Sequence, residues 1–333
     1  MHALLEKLSA GKLLSRAEAA LAMRSITSGT VPNEHIATFL TALNKRPVDA
    51  EELGGFRETL LELATPLRSE MALLDVCGTG GDGKDTFNIS TAAAFVVAAC
   101  GVPVAKHGNY SVSSRCGSSN VLEALGVPLP KNESDALRQL ETANVTFLHA
   151  PFWHPAMKAV APVRKELGVK TVFNLLGPLI NPARPRYQLI GVHSLELAEL
   201  FGSILEREDI VFSVVRTEDG YDEISLTSPA HKRHRHGKAI LTPKDFGAES
   251  LKPAALMGGI SIAENAECLQ KILEGQGTEA QTSVVAANAA LALSLVRQEA
   301  KLAELYAEAA SAIRSAKAFG VLSNVRKSYG HNS

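Results

Sequence analysis

Apolar positions in residues 1 to about 70 recur at helical spacing. Leu53, Phe56, Leu60 and Leu63 fall on one face, and Ile36, Phe39, Leu40 and Leu43 follow Pro32, a residue suited to a helix first turn. Ser15-Arg16-Ala17-Glu18 and Asp49-Ala50-Glu51-Glu52 carry the pattern of an N-cap side chain three residues before a carboxylate, which marks helix starts. No residue here forms a chemical motif. The stretch reads as a small helical domain.

The pattern changes at Leu73-Leu74-Asp75-Val76-Cys77, a short apolar run closed by glycines, which predicts a buried strand. A helix from about Thr91 to Cys100 and a second strand, Val102 to Lys106, follow, and this order implies a parallel α/β sheet. Further strands are expected at Val145–Leu148, Gln188–Val192, Ile210–Val215 and Ile224–Leu226, with a helix over Leu195–Arg207. The last hundred residues are Ala-rich, mostly helical and free of internal repeats. The expected fold class is α/β: a small helical N-terminal domain over 1–70, joined by about 162–182, and a larger α/β domain over 71–333. Its central sheet is expected to be mainly parallel and flanked by helices.

Composition narrows the function. The 333 residues include 34 Lys+Arg against 35 Asp+Glu, for a net charge of −1, which argues against a general nucleic-acid binder. A content of 46% hydrophobic and 21% charged residues excludes wholesale disorder, and 5% aromatics disfavours a base- or sugar-stacking surface. Met1 to Lys7 has no basic start leading into an apolar run, so it is not read as a signal peptide. The longest apolar stretch, Ala92–Ala105, holds Gly101 and Pro103 and is too short to span a bilayer. Cys77, Cys100, Cys116 and Cys268 lack paired spacing and read as reduced thiols, so the expected location is cytoplasmic. An anionic ligand must therefore be met locally.

Seven of the 25 glycines lie between Gly78 and Gly117. Gly78-Thr79-Gly80-Gly81-Asp82-Gly83 follows the first strand and leads to Asn88-Ile89-Ser90-Thr91 at a helix start, where amides, hydroxyls and the helix dipole suit a phosphate. The loop satisfies G-x-G-x-x-G, but the second strand ends in Lys106-His107-Gly108 where a dinucleotide site needs an acid, so that match is read as coincidental. Lys106 to Ser119 form the second loop, with two cations, five serines and glycines suited to gripping a polyanion. Both loops fall at carboxyl ends of strands, where open α/β sheets bind ligands.

Gly78 to Asp82, Asn88 to Thr91, Lys106 to Asn109 and Val121 to Gly126 resemble anthranilate phosphoribosyltransferases. So do His154 to Lys158, Val163 to Gly168, Asn174 to Leu179, Asp219 to Ser225, Gly258-Gly259 and Asn265-Ala266, which together span nearly the whole chain. The resemblance implies a nucleoside phosphorylase/phosphoribosyltransferase-like fold and transfer of the phosphoribosyl group from phosphoribosyl pyrophosphate (PRPP) to the amine of anthranilate, releasing pyrophosphate, in tryptophan biosynthesis. It implies that Gly78, Gly81, Asp82, Thr86, Asn88, Ile89, Ser90, Thr91, Lys106, Gly108, Ser114 and Ser118 line the PRPP site. Gly78, Asn109 and Arg164 would receive anthranilate, with His107 a further candidate. Mg²⁺ would be held by Ser90, Asp222 and Glu223, and the chain would form a homodimer through its helical domain, with no nucleic-acid or membrane partner.

Those roles make chemical sense. Mg²⁺ takes one or two carboxylates plus substrate phosphates. Strand neighbours point to opposite faces, so Asp222-Glu223 is expected in a turn helped by Gly220, or else to serve two separate ions. Arg164 offers a planar fork for a carboxylate, against the plainer reading of a helix-surface Arg paired with Glu166. Displacement at the ribose C1 through an oxocarbenium-like transition state needs no covalent nucleophile, and the neutral aryl amine needs no strong base. Two positions depart from the family pattern: Tyr110 stands where a basic residue is expected, and His149 where an apolar one is. The run His231-Lys232-Arg233-His234-Arg235-His236 is expected to form a solvated, mobile turn. Two rivals are a pyrimidine-nucleoside phosphorylase and a non-catalytic nucleic-acid-binding relative. The acidic pair with Asn109/Arg164 argues against the first, and the lack of basic excess against the second.

Overall fold

The computed structural model describes residues 1–110 and 116–328. The chain divides into two compact units, Met1–Pro66 with Ala150–Pro182, and Leu67–His149 with the chain from Ala183 onward. The segment returning to the helical unit thus begins at Ala150, ahead of the expected residue 162.

The helical unit starts with α1 (His2–Ser9), α2 (Arg16–Thr27), α3 (Asn33–Leu43) and α4 (Ala50–Leu63). Both capping boxes form: Ser15 Oγ accepts from the Glu18 amide while the Glu18 carboxylate accepts from the Ser15 amide, and Asp49 and Glu52 repeat the exchange. Helices α2 and α4 cross closely because Gly55 has no side chain; a Cβ there would lie 2.3 Å from the Arg16 carbonyl oxygen. Glu52 is fully buried and meets Arg46 through two hydrogen bonds of 2.6 and 2.7 Å, while also accepting from the Leu14 amide at 2.8 Å. Arg46→Met leaves that carboxylate uncompensated and is expected to destabilise the chain by about 3–5 kcal/mol in denaturant titration.

The α/β unit runs β1 (Leu74–Gly78), α5 (Ile89–Ala99), β2 (Val104–Gly108), α6 (Ser118–Ala124), α7 (Glu133–Ala143) and β3 (Val145–His149). The chain then supplies short helices α8 (Ala150–Trp153), α9 (Ala161–Leu167) and α10 (Phe173–Leu176) to the helical unit. It returns as β4 (Tyr187–Gly191), α11 (Leu195–Leu205), β5 (Val211–Thr217), β6 (Ala230–His234) and β7 (Gly237–Leu241). Helices α12 (Ile262–Leu273), α13 (Glu279–Val296), α14 (Leu302–Arg314) and α15 (Lys317–Lys327) complete it.

The seven strands lie in the order β3-β2-β1-β4-β5-β6-β7; the first five are parallel and the last two antiparallel. Strand order reverses direction between β1 and β4, which opens a crevice at their carboxyl ends. Helix α5 is apolar all round and α13 nearly so, because each is buried on every side among other helices and the sheet. Helix α13 is long and apolar enough to cross a bilayer, but 72% of it is buried inside the unit, where it serves as a core helix.

Two expectations are corrected. Ile224–Leu226 is irregular, with Leu226 in the left-handed region at φ 59°, so no ladder can run through it. His231–His236 is a β-hairpin joining β6 to β7, paired to β5 from Ser213 to Thr217. Its charge density masked a strand alternation: Arg233 turns to Glu206 at 2.5 Å and Glu199 at 3.6 Å on one face, and its neighbours turn to the other.

Candidate active site

The crevice between β1 and β4 is where the acidic pair lies. Gly78 and Gly191, the last residues of those strands, are in register, and the segment carrying Asp222 crosses directly over both. A Cβ at Gly191 would fall 1.5 Å from the Asp222 carbonyl oxygen, and one at Gly78 would fall 2.9 Å from Asp222 Oδ2. The Gly80 amide donates to Asp222 Oδ2 at 2.7 Å, and the Ser90 amide, in the first turn of α5, donates to Glu223 Oε1 at 3.0 Å. The two carboxylates thus face the glycine loop and the α5 N-terminus, as a turn allows and a strand would not.

The electrostatics call for a cation. Glu223 Oε2 is shielded from solvent and has no hydrogen-bond partner. Burial, reinforced by the neighbouring Asp82, raises the Asp222 carboxyl to about 7. Burial and Asp222 raise that of Glu223 well above the usual range. Asn88 Oδ1, Thr79 Oγ1 and Thr91 Oγ1 are also buried without partners. Unmatched oxygens clustered around one crevice fit a hard, oxygen-seeking ion and a polar ligand. No three His, Cys, Asp or Glu side chains among the described residues converge as a complete protein cage. Two carboxylates with room for phosphate oxygens is the pattern expected for Mg²⁺.

The remaining loop residues are placed as follows. Gly80 and Gly81 adopt φ of 64° and 76°, a backbone that turns the loop after β1 and favours glycine. Asp82 Oδ1 accepts from the Lys84 amide at 3.0 Å. Thr86 bridges Met257, and a Cβ at Gly258 would lie 3.0 Å from Thr86, while Asn265 donates to the Gly259 carbonyl at 3.0 Å. The late glycine pair and its asparagine therefore brace the Thr86–Phe87 segment that leads into α5. Ile89 is buried in the core, so only its backbone faces the crevice. Lys106 is 3% exposed; its ammonium donates to the Val76 carbonyl and reaches Ser90 Oγ at 3.4 Å. It supplies positive potential from beneath the loop.

His107 points to the other face of β2, 2% exposed, with its amide donating to Asp75 Oδ1 at 3.2 Å. Gly108 is needed because Ser118 Oγ would sit 2.4 Å from a Cβ there. The Asn109 carbonyl accepts from the Ser119 amide at 3.3 Å and from Ser118 Oγ at 3.4 Å. Tyr110 and His149 touch each other, their rings edge to face at 4.5 Å. Tyr110 also donates to Glu123 at 2.7 Å, and His149 Nδ1 meets Ser119 Oγ at 2.8 Å. Ser114 and Arg115 lie outside the described residues.

Arg164 belongs to α9 in the helical unit. Its guanidinium lies over the Phe173 ring, 5.1 Å from the centroid, half-buried, and burial lowers its pKa. Glu166 does not pair with it, nor does any other acid among the described residues, so the plainer surface-pair reading fails.

Two residues of this site escape sequence reasoning. Gly191 reads as the end of an ordinary strand until Asp222 is seen to cross it. Asn288 is the one polar residue in Ala-Ala-Asn-Ala-Ala, a visible but unread signal on α13. It is 3% exposed and clamps the residue after Glu223: the Ile224 amide donates to Oδ1 at 3.0 Å, and Nδ2 donates to the Ile224 and Val284 carbonyls at 2.8 Å each. Asn288→Leu strands these buried groups and is expected to cost about 3 kcal/mol in denaturant titration.

Comparison with known proteins agrees with this geometry. Residues 2–64 match the glycosyl transferase family helical bundle domain, and residues 70–319 match the glycosyl transferase family a/b domain. An anthranilate phosphoribosyltransferase from Christiangramia forsetii is 45% identical over 98% of this chain and 99% of its own length. The crystal structure of anthranilate phosphoribosyltransferase from Thermus thermophilus superposes with a TM-score of 0.90 at 38% identity, covering 97% of this chain and 98% of that one. The enzyme from Saccharomyces cerevisiae, in complex with PRPP and Mg, gives 0.90 at 27% identity, covering 98% and 97%. With two domain models and a near full-length relative in agreement, the chain belongs to the anthranilate phosphoribosyltransferase family.

Proposed function

We propose that this chain transfers the phosphoribosyl group of PRPP to the amine of anthranilate, and that PRPP binds at the carboxyl ends of β1, β2 and β4. The observation that carries this reading is the Asp222–Glu223 pair held against the Gly78–Gly83 loop and the α5 N-terminus. Asp222, Glu223 and Ser90 would hold Mg²⁺, which when bound supplies charge neutralisation on the departing pyrophosphate. The loop amides from Gly78 to Asp82, with Asn88, Thr91, Gly108 and Ser118, cradle the phosphates, and Thr86 with the Ile89 backbone shapes their path. Buried Lys106 adds a fixed positive charge without reorganising.

Asn109, with the Gly78 backbone, orients the acceptor. His107, buried at the end of β2 with its backbone amide donating to Asp75 Oδ1, is a further acceptor-site candidate. Arg164 receives the carboxylate, a role favoured by its unpaired, half-buried guanidinium. Arg164→Ala is expected to raise the KM for anthranilate about 10–100-fold and to leave that for PRPP nearly unchanged, since one charge-assisted bidentate contact is lost.

Anthranilate fluorescence should fall when the protein meets PRPP and Mg²⁺, and no change at micromolar enzyme would sink the reading. A phosphorylase would instead consume nucleoside with inorganic phosphate and no magnesium. The cytoplasm and a homodimer formed through the helical unit complete the proposal; exposed Leu13 and Leu21 on that unit are candidates for burial between copies. A monomeric mass in sedimentation at micromolar concentration would remove the dimer.

A further inference from the structure

The basic run His231–His236 has no part in the site above, yet the hairpin gives it a definite inner face. Lys232 and His234 share that face of β6, opposite Arg233 and its carboxylates, and they wall a cleft of about 530 Å³. Its apolar floor comes from Leu291 and Leu295 of α13 and Leu302 of α14, with Phe212 and Leu241 at the sides. The volume falls within the range of small-molecule sites, roughly 300–1,000 Å³. The cleft lies where β5 begins, at Val211 to Ser213, whereas the acidic pair follows the other end of that strand.

Its charges are unequally committed. Arg235 directs its guanidinium to the Glu206 and Ile210 carbonyls, at 3.1 and 3.2 Å. Asp245, the one acid lining the cleft, accepts at Oδ2 from the Thr242 amide and hydroxyl at 2.6 and 2.8 Å. His234 is held toward its neutral form by burial and by neighbouring Lys232, His236 and Arg233. Lys232 is half-buried and its ammonium has no hydrogen bond or ion pair among the described residues. Arg235 and Asp245 offset one another in net charge, so Lys232 leaves about one uncompensated positive charge above an apolar floor.

We propose that this cleft is a second ligand site, for a small monoanionic amphipathic carboxylate whose head meets Lys232 and whose apolar body lies on Leu291 and Leu295. A hydrophobic pocket with a single convergent cation selects a carboxylate with a hydrocarbon body over a free phosphate, which would strand the floor.

The test is calorimetric titration of the full-length protein with 3-phenylpropionate in the absence of PRPP. Saturable binding at about one equivalent is expected, weakened at least about tenfold by Lys232→Met, which keeps the stem and removes the charge. Ser294→Phe, which fills the cleft from α13, should abolish it, and 3-phenylpropionamide should not bind. Arg164→Ala should leave it unchanged. The proposal is overturned by absence of saturation at about 10 mM, by full affinity in Lys232→Met, by equal binding of the amide, or by loss in Arg164→Ala, which would put the probe in the acceptor site. Displacement by equimolar inorganic phosphate would overturn the amphipathic class.

Discussion

Changing Asp222 to Asn and Glu223 to Gln together should lower kcat/KM by about 10²–10³-fold and raise the Mg²⁺ concentration for half-maximal activity, with stability held or increased. Each isostere removes a charge that burial disfavours, so the cost falls on cation binding and on stabilisation of the leaving group. The sign of the pH effect follows. A carboxyl raised to about 7 in the folded chain is protonated below that point. The apparent affinity for Mg²⁺ should therefore weaken as pH falls through 7 in the native enzyme and vary little in the double amide. In the metal-free chain the same shift makes the native state bind more protons than the unfolded one. This contribution to stability is present at low pH and lost as pH rises from the ordinary value of 3.8 toward about 7. Melting curves with and without Mg²⁺ and PRPP at pH 5.5 and 8 read both effects, and an unchanged magnesium titration would reject the role of the pair.

Gly191→Ala should be nearly as damaging, for a steric reason. Its methyl group would stand 1.5 Å from the Asp222 carbonyl oxygen, a backbone atom that no rotamer change can move. The acidic segment must shift by an ångström or more, which is expected to cost about 3 kcal/mol of stability and at least about 100-fold in kcat/KM. Gly101→Ala, after α5 and away from the site, is the control. A Cβ there meets nothing within 4 Å, and only its φ of 87° is strained, for about 1–2 kcal/mol. If the two variants proved equally active, the crossing of Asp222 over Gly191 would not matter to catalysis.

Much of the fold was legible locally. The capping boxes at Ser15 and Asp49 formed because caps depend on residues three apart. The first five strands lie within two residues of where apolar runs placed them, since central parallel strands are apolar on both faces. Strand β6 was hidden because charged side chains occupy both of its faces, which leaves no apolar alternation to read. Ile224–Leu226 was misread because three residues that look like a strand had no signal for the positive φ of Leu226.

The sequence by itself determined the chemistry available: a glycine loop, hydroxyls at a helix start, a buried-strand lysine and an adjacent acidic pair, in motifs long enough to identify a family. Those are properties of residue type and short spacing. Only the tertiary structure decided that Asp222 crosses Gly78 and Gly191, that Asn288 holds Ile224 from more than sixty positions away, and that Tyr110 meets His149. It also decided that Lys106 reaches the Val76 carbonyl and Ser90 while His107 lies on the opposite face of β2. Contacts distant along the chain are set by how strands order in the sheet and which elements pack over them. No local periodicity encodes that order, so the crevice became visible only once β1 and β4 stood side by side.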